Sequence, residues 1–302
     1  MKQDLKPKIS FIFSMLVFGS IGIFRRYLPF GSGTIAFSRG IIGALFLLLV
    51  LLIKRQNTDK KAIKMNAPVL CLSGALIGFN WILLFEAYNY TTVATATLCY
   101  YTAPIIVIIL SPFALKEKLT VKKGLCVAFS LIGMVLVTGV LRQNPDMSDN
   151  GLGVLFGLGA AVLYASVILL NKRLHDIGAY DKTIVQLFAA SVVILPYTLL
   201  KETVTKSEVT VKTVTILLIV GVIHTGLSYA LYFGSMEKLS AQTVSLMSYI
   251  DPIVALVLST LLLREHMGIA EIIGAVLILG STVVGEVDFG KEKTEYINRE
   301  KT

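Results

Sequence analysis

Ten long apolar runs, separated by short charged loops, fill this 302-residue chain almost from end to end. Each run has about 18 to 24 residues, enough for a helix to cross a hydrocarbon core roughly 30 Å thick. The polar chain between the runs is too short for a separate globular domain. The sequence therefore predicts an all-α integral membrane protein with ten transmembrane helices. The runs lie at 9–28, 34–53, 68–88, 92–115, 123–140, 151–171, 183–200, 213–235, 241–263 and 269–287.

The charges are few and unevenly distributed. Only 16% of the residues are charged, against about 25% in a typical soluble domain. With the N-terminus inside, the inner loops carry roughly three times as many Lys and Arg residues as the outer loops, which is the positive-inside bias. The net charge of +9 thus indicates topology and no nucleic-acid partner. We expect a multi-pass protein of the cell (inner or plasma) membrane with both termini in the cytoplasm.

The chain repeats itself, because residues 85–120 align with residues 233–268. The repeat unit contains five spans, an odd number, so the second copy enters the membrane in the opposite sense. Inverted repeats of this kind are typical of secondary transporters that bind substrate near the midplane. We expect repeats at 1–145 and 146–290 and a charged cytoplasmic tail at 291–302. Matching residues include Phe85 with Phe233, Tyr101 with Tyr249, Pro104 with Pro252 and Glu117 with Glu265.

Several segments resemble a known family. They are the Phe18-Gly19-Ser20 stretch, Arg39, YYTAPIIVIILSPFALKEKLT (100–120), SYIDPIVALVLSTLLLREHMG (248–268) and IIGAVLILGSTVVG (272–285). In these the chain resembles the drug/metabolite transporter superfamily, in its ten-helix EamA-type branch. The resemblance implies two five-helix halves around a cavity that opens to one side at a time. It also implies that spans one, three, four, six, eight and nine line the cavity, with export the commoner direction and amino acids common cargo.

Spans four and nine carry the first candidate substrate contacts. Thr97, Tyr101 and Pro104 are spaced four and three apart, so they share one helix face. Ser245, Tyr249 and Pro252 repeat this face in the second half. A proline in a helix frees a carbonyl group, which is tolerated only inside protein or beside a wet cavity. We interpret Thr97, Tyr101 and Tyr249 as substrate-binding residues and the two prolines as hinges; a packed structural kink is the alternative.

Asp251 stands beside Pro252, near the membrane midplane. A bare carboxylate at this depth costs roughly 2.5–3.5 kcal/mol on insertion scales. The group is therefore protonated, paired or hydrated. We interpret Asp251 as a contact for a substrate amine or as a proton carrier; the alternative is a neutral acid bonded to a freed backbone carbonyl.

Spans eight and three supply the other polar candidates. His224, Ser228 and Tyr232 follow one another at intervals of four, the spacing of one helix face. His224 could couple transport to protons, or it could be a neutral packing residue. Asn80 and Trp81 would suit a ligand with polar and apolar parts, and helix packing is the alternative. Weaker substrate-binding candidates are Tyr164, Ser166 and Ser20.

Two further patterns favour structural roles. Arg39 lies near the outer end of span two, where its long side chain can snorkel outward or bind carbonyl groups, so we expect anchoring rather than substrate contact. The Gly74-x-x-x-Gly78 and Gly153-x-x-x-Gly157 pairs predict close helix packing.

Motifs of other classes are missing from the sequence. There is no GxxxxGK[ST] phosphate loop, no HExxH and no GxSxG. The three cysteines lie in apolar runs without metal-ligand spacing, so we expect no cofactor, no metal and no enzymatic activity.

We expect an alternating-access secondary transporter that exports amino acids or related small zwitterions, with a small-molecule substrate and the lipid bilayer as its partners. An importer or exchanger of cofactor or nucleotide-type metabolites is one alternative. A passive channel or structural membrane protein is another. Two questions stay open: whether transport is coupled to protons or is facilitated diffusion, and whether the protein is a monomer or a homodimer.

Overall fold

A computed structural model of the chain describes residues 5–115, 121–138, 147–171, 173–174, 176–236, 250–264 and 267–286. Regular secondary structure in these ranges is helical throughout, which confirms the predicted all-α class. The helices are α1 (Leu5–Gly19), α2 (Ile21–Arg26), α3 (Ser32–Ile53), α4 (Lys60–Tyr90), α5 (Val93–Tyr100), α6 (Ala103–Leu115), α7 (Val121–Thr138), α8 (Met147–Asn171), α9 (Ala179–Lys201), α10 (Val211–Ile219), a π-helix (Val220–Leu227), α11 (Ser228–Met236), α12 (Ile250–Leu262) and α13 (Ile269–Glu286).

The apolar helices fall on the ten predicted spans. Six are long and apolar enough to cross a membrane: Lys6–Arg26, Ser32–Ile53, Lys60–Tyr90, Asn150–Asn171, Ala179–Lys201 and Val211–Tyr232. Shorter apolar helices at Val93–Val107, Gly124–Gly133, Ile250–Leu262 and Ile272–Ser281 lie in the four remaining runs. The chain is thus an integral, multi-pass membrane protein.

Helices α3 and α9, the second helices of the two repeats, run antiparallel. At one end, the backbone N–H groups of Gly33 and Thr34 donate to the Glu202 carboxylate, each over 2.7 Å. At the other end, Lys54 Nζ lies 3.4 Å from the Tyr180 hydroxyl. The start of each helix therefore meets the end of the other, as inverted repeats require.

Packing between spans also recurs with the two halves exchanged. Span three of the first half packs on span six of the second, and correspondingly span eight packs on span one. Span four packs on span six, and correspondingly span nine packs on span one. Spans two and seven, four and nine, and five and ten pair across the halves. The predicted class of ten helices in two inverted five-helix repeats is confirmed. The exact division at 145/146 stays a prediction, because this boundary and the tail at 291–302 lie outside the described residues.

Glycines permit the closest helix contacts, as their spacing predicts. A Cβ added at Gly74 would lie 2.6 Å from the carbonyl oxygen of Gln186 in α9, and one at Gly78 would lie 2.9 Å from the Ile194 side chain. In α8, a Cβ at Gly153 would lie 2.7 Å from the side chain of Thr91. Any larger residue would push these helices apart.

Three spans depart from a regular α-helix. Span one breaks at Ser20 and span eight contains the π-helix. Span four breaks after Tyr100, where the Thr102 carbonyl accepts N–H bonds from Ile105 (3.0 Å) and Ile106 (3.1 Å). Pro104 therefore lies in the first turn of α6, where a missing N–H leaves no bond unmade. Span four is thus two helices rather than one kinked helix.

Candidate functional site

The break in span four brings two adjacent tyrosines into the interior. Tyr100 and Tyr101 have ring centroids 5.6 Å apart and almost perpendicular planes. Tyr100 also packs against Tyr164 of span six, with 5.2 Å between centroids. Tyr101 shares a side-chain hydrogen bond with Asp251 in the first turn of α12. Spans four, six and nine therefore meet around these hydroxyl groups and one carboxylate.

A second group of rings comes from spans one, three and eight. Phe18 lies edge-on to Tyr229 (5.3 Å) and Tyr232 (6.0 Å), and Trp81 lies 6.5 Å from Tyr229. A side-chain hydrogen bond between Tyr164 and Tyr232 joins this group to the first. We call the combined set the aromatic cluster. Its members are Phe18, Trp81, Tyr100, Tyr101, Tyr164, Tyr229, Tyr232 and Asp251, and they come from the six spans that the family resemblance implies.

Most side chains of the aromatic cluster are only partly buried, even though helices from both halves surround them. Trp81 is buried, but every other member, including Asp251, is half-buried. Phenolic hydroxyl groups and a carboxylate facing hydrocarbon would be costly. This cost favours an orientation of the accessible surface toward space between the helices rather than toward lipid. Asp251 is close enough to interact electrostatically with all five tyrosines of the cluster, namely Tyr100, Tyr101, Tyr164, Tyr229 and Tyr232.

The break in span one packs directly on the Asp251 turn. A Cβ added at Gly19 would lie 2.5 Å from the Asp251 carbonyl oxygen and 2.7 Å from the Cβ of Val254. Only glycine permits this approach, so Gly19 holds the start of α12 against span one.

Arg39 does not extend outward, so snorkelling, one of the two ways in which we expected this side chain to be anchored, does not occur. Its side chain is only 4% exposed. The Nε group donates to Thr225 Oγ1 over 2.9 Å, and the guanidinium carbon lies 4.2 Å from the Trp81 ring centroid and 5.6 Å from that of Phe85. The cause is the neighbouring π-helix, which presents Thr225, together with the aromatic face of Trp81, an attractive site for a cation.

His224 joins the π-helix to the break in span one. Its Nε2 lies 2.9 Å from the Ser20 hydroxyl oxygen, and its ring packs edge-on to Phe24 at 4.5 Å. The side chain is 2% exposed. His224 therefore contacts the helix break in span one rather than the rings of the aromatic cluster.

His224, Ser228 and Tyr232 do not share one face of an α-helix, because part of span eight is π-helical. Thr225 Oγ1 donates to the Val220 carbonyl (3.0 Å) and Ser228 Oγ to the Ile223 carbonyl (2.8 Å), both five residues back, which is the π-helical separation. Ser228 is fully buried and bonded within its own helix. Tyr232 instead joins the aromatic cluster.

Two other predicted residues lie in packed positions. Asn80 is buried and its Nδ2 donates to the Ala160 carbonyl over 2.6 Å, while its side chain also bonds with Tyr100 at the edge of the cluster. Thr97 is buried, and its hydroxyl reaches no partner among the described residues. Ser166 bonds the Val162 carbonyl of its own helix. Ser245 and Tyr249 lie outside the described residues.

Sequence patterns did not identify four contributors: Phe18, Tyr100 and Tyr229 as members of the aromatic cluster, and the inward direction of Arg39. The available signal for Tyr100 was its position just before Tyr101 and Pro104. A helix start at the proline turns both tyrosines inward. No periodicity indicates the π-helix, because an apolar run looks the same in either helix type. Pro252 is buried in the first described turn of α12, and its hinge role, like that of Pro104, stays a prediction.

Sequence comparison resolves the class of protein. The profile of the EamA-like transporter family matches the chain twice, at residues 6–139 and 151–284. The chain belongs to the EamA-like transporter family. Membership makes it a membrane transporter of the drug/metabolite type, and each match covers one five-helix repeat.

Three proteins similar to this EamA-like transporter illustrate the relationship, and two of them are transporters by name. The uncharacterized transporter YxxF of Bacillus subtilis (strain 168) is 29% identical over 277 residues, covering 92% of this chain and 88% of its own. The uncharacterized transporter YoaV of the same organism is 28% identical over 258 residues, or 84% of this chain and 87% of its own. Protein PecM of Dickeya dadantii (strain 3937) is 28% identical, covering 70% of this chain and 71% of its own.

A solved crystal structure shares the fold of this EamA-like transporter. It superposes with a TM-score of 0.68 over 92% of this chain and 96% of its own, at 16% sequence identity. At this identity the match supports the architecture alone.

Proposed function

We propose that this EamA-like transporter exports amino acids or related small zwitterions by alternating access across the cell membrane. The observation that carries the proposal is the contact between Tyr101 and Asp251 inside the aromatic cluster. A carboxylate among tyrosine hydroxyl groups suits an ammonium group, and the surrounding rings suit an apolar side chain. Movement of one repeat against the other would expose this site to each side in turn.

The charge near the aromatic cluster also supports a small, overall neutral cargo. A nucleotide-type metabolite would need several bases around its phosphate groups. Among the described residues close to the cluster, Arg39 is the single arginine or lysine, and Asp251 is the single acid. One cation and one anion favour a zwitterion over a polyanion.

The test is a panel of labelled amino acids, with a nucleotide as comparison, measured as flux in vesicles reconstituted with the full chain. We expect saturable flux of at least one amino acid and exchange of internal for external substrate. Asp251→Asn should reduce this flux by at least about tenfold, the effect of losing about 1.4 kcal/mol, while the protein still reconstitutes. Flux that rises linearly without saturation indicates a channel and overturns the proposal.

The same vesicles test energy coupling. Asp251 and His224 are the proposed proton carriers. If either carries protons, an imposed pH gradient drives substrate above its equilibrium concentration, and the corresponding variant, Asp251→Asn or His224→Gln, abolishes that accumulation. Flux that follows only the substrate gradient indicates facilitated diffusion.

A further inference from the structure

We infer that Arg39, fixed by Trp81 and Thr225, is the binding site for the carboxylate of the transported zwitterion, whose amine faces Asp251. The inference rests on the proposed function. It assigns a substrate group to a residue whose sequence position favours mere anchoring.

The Arg39 side chain uses only part of its hydrogen-bonding capacity among the described residues. Its Nε is taken by Thr225, and its two terminal amino groups reach no acceptor within the described part of the chain. Four buried polar side-chain atoms in those ranges lack a partner, and the Arg39 amino groups are not among them. Among the described residues these donors are therefore uncommitted, and a ligand oxygen is the acceptor that we assign to them.

Arg39 also has no counter-ion among the described residues. The described groups that interact electrostatically with Arg39 are His224 and three tyrosines, with no carboxylate among them. A cation held inside a membrane bundle without an anion is expensive, and a cation–π contact offsets only part of this cost. A substrate carboxylate would supply the anion, so bound substrate and Arg39 stabilise each other.

Two neighbouring side chains hold the Arg39 guanidinium in a fixed orientation. Trp81 lies against the guanidinium, with 4.2 Å from its ring centroid to Cζ, and Thr225 fixes the Nε side. These two contacts orient the remaining donors as a planar fork. An arginine fork matches the two oxygens of a carboxylate, and its prior fixation reduces the entropy lost on binding.

The opposite charge, on Asp251, lies on the other side of the same tyrosines. Arg39 and Asp251 form no ion pair, yet Tyr100 and Tyr229 lie within electrostatic reach of both. The two charges therefore flank the same pair of tyrosines without neutralising each other. A molecule with a carboxylate and an ammonium group complements both at once.

The binding test uses Trp81, the only tryptophan of the chain, as its probe. The purified full chain is titrated with leucine, with isoamylamine (leucine without its carboxylate) and with isocaproate (leucine without its amine). Because the carboxylate would bind against the cation stacked on Trp81, leucine and isocaproate should change the indole fluorescence and isoamylamine should not. Equal responses to the acid and the amine, or no response to either carboxylate, overturn the inference.

Three variants separate the role of Arg39 from general stability. Arg39→Gln should weaken the binding of leucine and isocaproate by at least about tenfold, as expected for a lost charge-assisted bidentate contact. Inhibition of amino-acid flux by isoamylamine should stay within about twofold of the wild-type value, because the amine does not bind Arg39. Arg39→Lys, which keeps the charge but loses the fork, should fall between. Arg25→Gln is the matched control, because this buried arginine already donates to the Leu28 carbonyl (3.1 Å) and Asn89 Oδ1 (2.8 Å); its selectivity should equal wild type.

The outcomes keep the two claims apart. Amino-acid flux with an unchanged acid-to-amine preference in Arg39→Gln refutes the carboxylate site and leaves the proposed function standing. A carboxylate-dependent Trp81 response without flux of any amino acid refutes the proposed function alone. If Arg39→Gln does not fold, the wild-type titration and Arg39→Lys decide.

Discussion

At the scale of single residues, the central feature is the Tyr101–Asp251 contact across the two repeats. It joins a helix break in the first half to a helix turn in the second. Neither residue has an equivalent bond within its own half among the described contacts. A movement of one half against the other would therefore strain or break this contact.

Tyr101→Phe tests the hydroxyl group alone. The ring and its packing on Tyr100 remain, while the bond to Asp251 is lost. A net loss of about 1 kcal/mol per hydrogen bond corresponds to a rate reduced by about fivefold. Initial flux rates in reconstituted vesicles measure the effect. Tyr90→Phe is the control, since Tyr90 lies at the end of α4 and packs on Phe156; wild-type flux in Tyr101→Phe would remove the hydroxyl from the mechanism.

At the scale of helices, small residues decide how closely the spans pack. Gly153 and Gly151 lie two residues apart in α8, but of the two only Gly153 faces a neighbour among the described residues. A Cβ at Gly153 would lie 2.7 Å from the Thr91 side chain, whereas no described atom lies within 4 Å of one at Gly151. The same substitution should therefore have opposite effects at the two positions.

Gly153→Ala should destabilise the folded protein by about 1–3 kcal/mol through overpacking. Gly151→Ala should be neutral or stabilising by up to about 1 kcal/mol, because alanine costs less backbone entropy in a helix. Thermal unfolding of the purified proteins in detergent compares the two. Equal unfolding temperatures for the pair would contradict the packing described between α8 and Thr91.

Helix α3 depends on a cap supplied by the other repeat. Glu202, just after α9, accepts bonds from the N–H groups of Gly33 and Thr34 and from the Thr34 hydroxyl, each over 2.7 Å. A carboxylate at a helix N-terminus satisfies free donors and the helix dipole. Glu202→Ala should therefore lower stability by about 1–2 kcal/mol.

Glu208→Ala is the control for this cap, because Glu208 lies in the same loop but bonds only locally. The Thr205 N–H donates to its carboxylate over 2.7 Å and holds the pKa of the Glu208 carboxyl below its ordinary value. Thermal unfolding should show a clear loss for the Glu202 variant and little change for Glu208→Ala. An equal loss in both would mean that the loop, not the cap, is responsible.

The helices and the aromatic cluster were predictable to different degrees. Run length and charge predicted ten spans, and the glycine spacing predicted close packing. The tyrosine and proline in register between 85–120 and 233–268 predicted the repeat. Such patterns could not predict contacts between distant parts of the chain. The direction of the Arg39 side chain, for example, depends on Trp81 and Thr225, which lie on other spans. The same holds for Phe18, whose partners follow it by about 200 residues.

At the scale of the whole molecule, the loops gather on two faces. On the first, Arg26 donates to the Thr91 carbonyl and Lys212 lies over the Tyr27 ring; on the second, the Asp59 N–H donates to Asp181. The second face carries roughly three times as many Lys and Arg residues as the first, which predicts that the second face is cytoplasmic.

Reporter fusions test this orientation. Green fluorescent protein at the C-terminus should fluoresce, and alkaline phosphatase there should be inactive, because both termini are expected in the cytoplasm. Phosphatase inserted between spans seven and eight, in loop 202–210, should be active and serves as the positive control. An active C-terminal phosphatase would contradict the inside assignment.

The wide turn of the π-helix makes span eight tolerant of a change in length at one place. A chain one residue shorter between Val220 and Leu227 can close the same turn as an ordinary α-helix, so Tyr229 and Tyr232 would keep roughly their present direction toward Phe18. A residue lost in α10 would instead rotate the two parts of the span against each other by about 100°. Two deletions that leave the hydropathy of the segment equally high should therefore differ in whether the rings still meet.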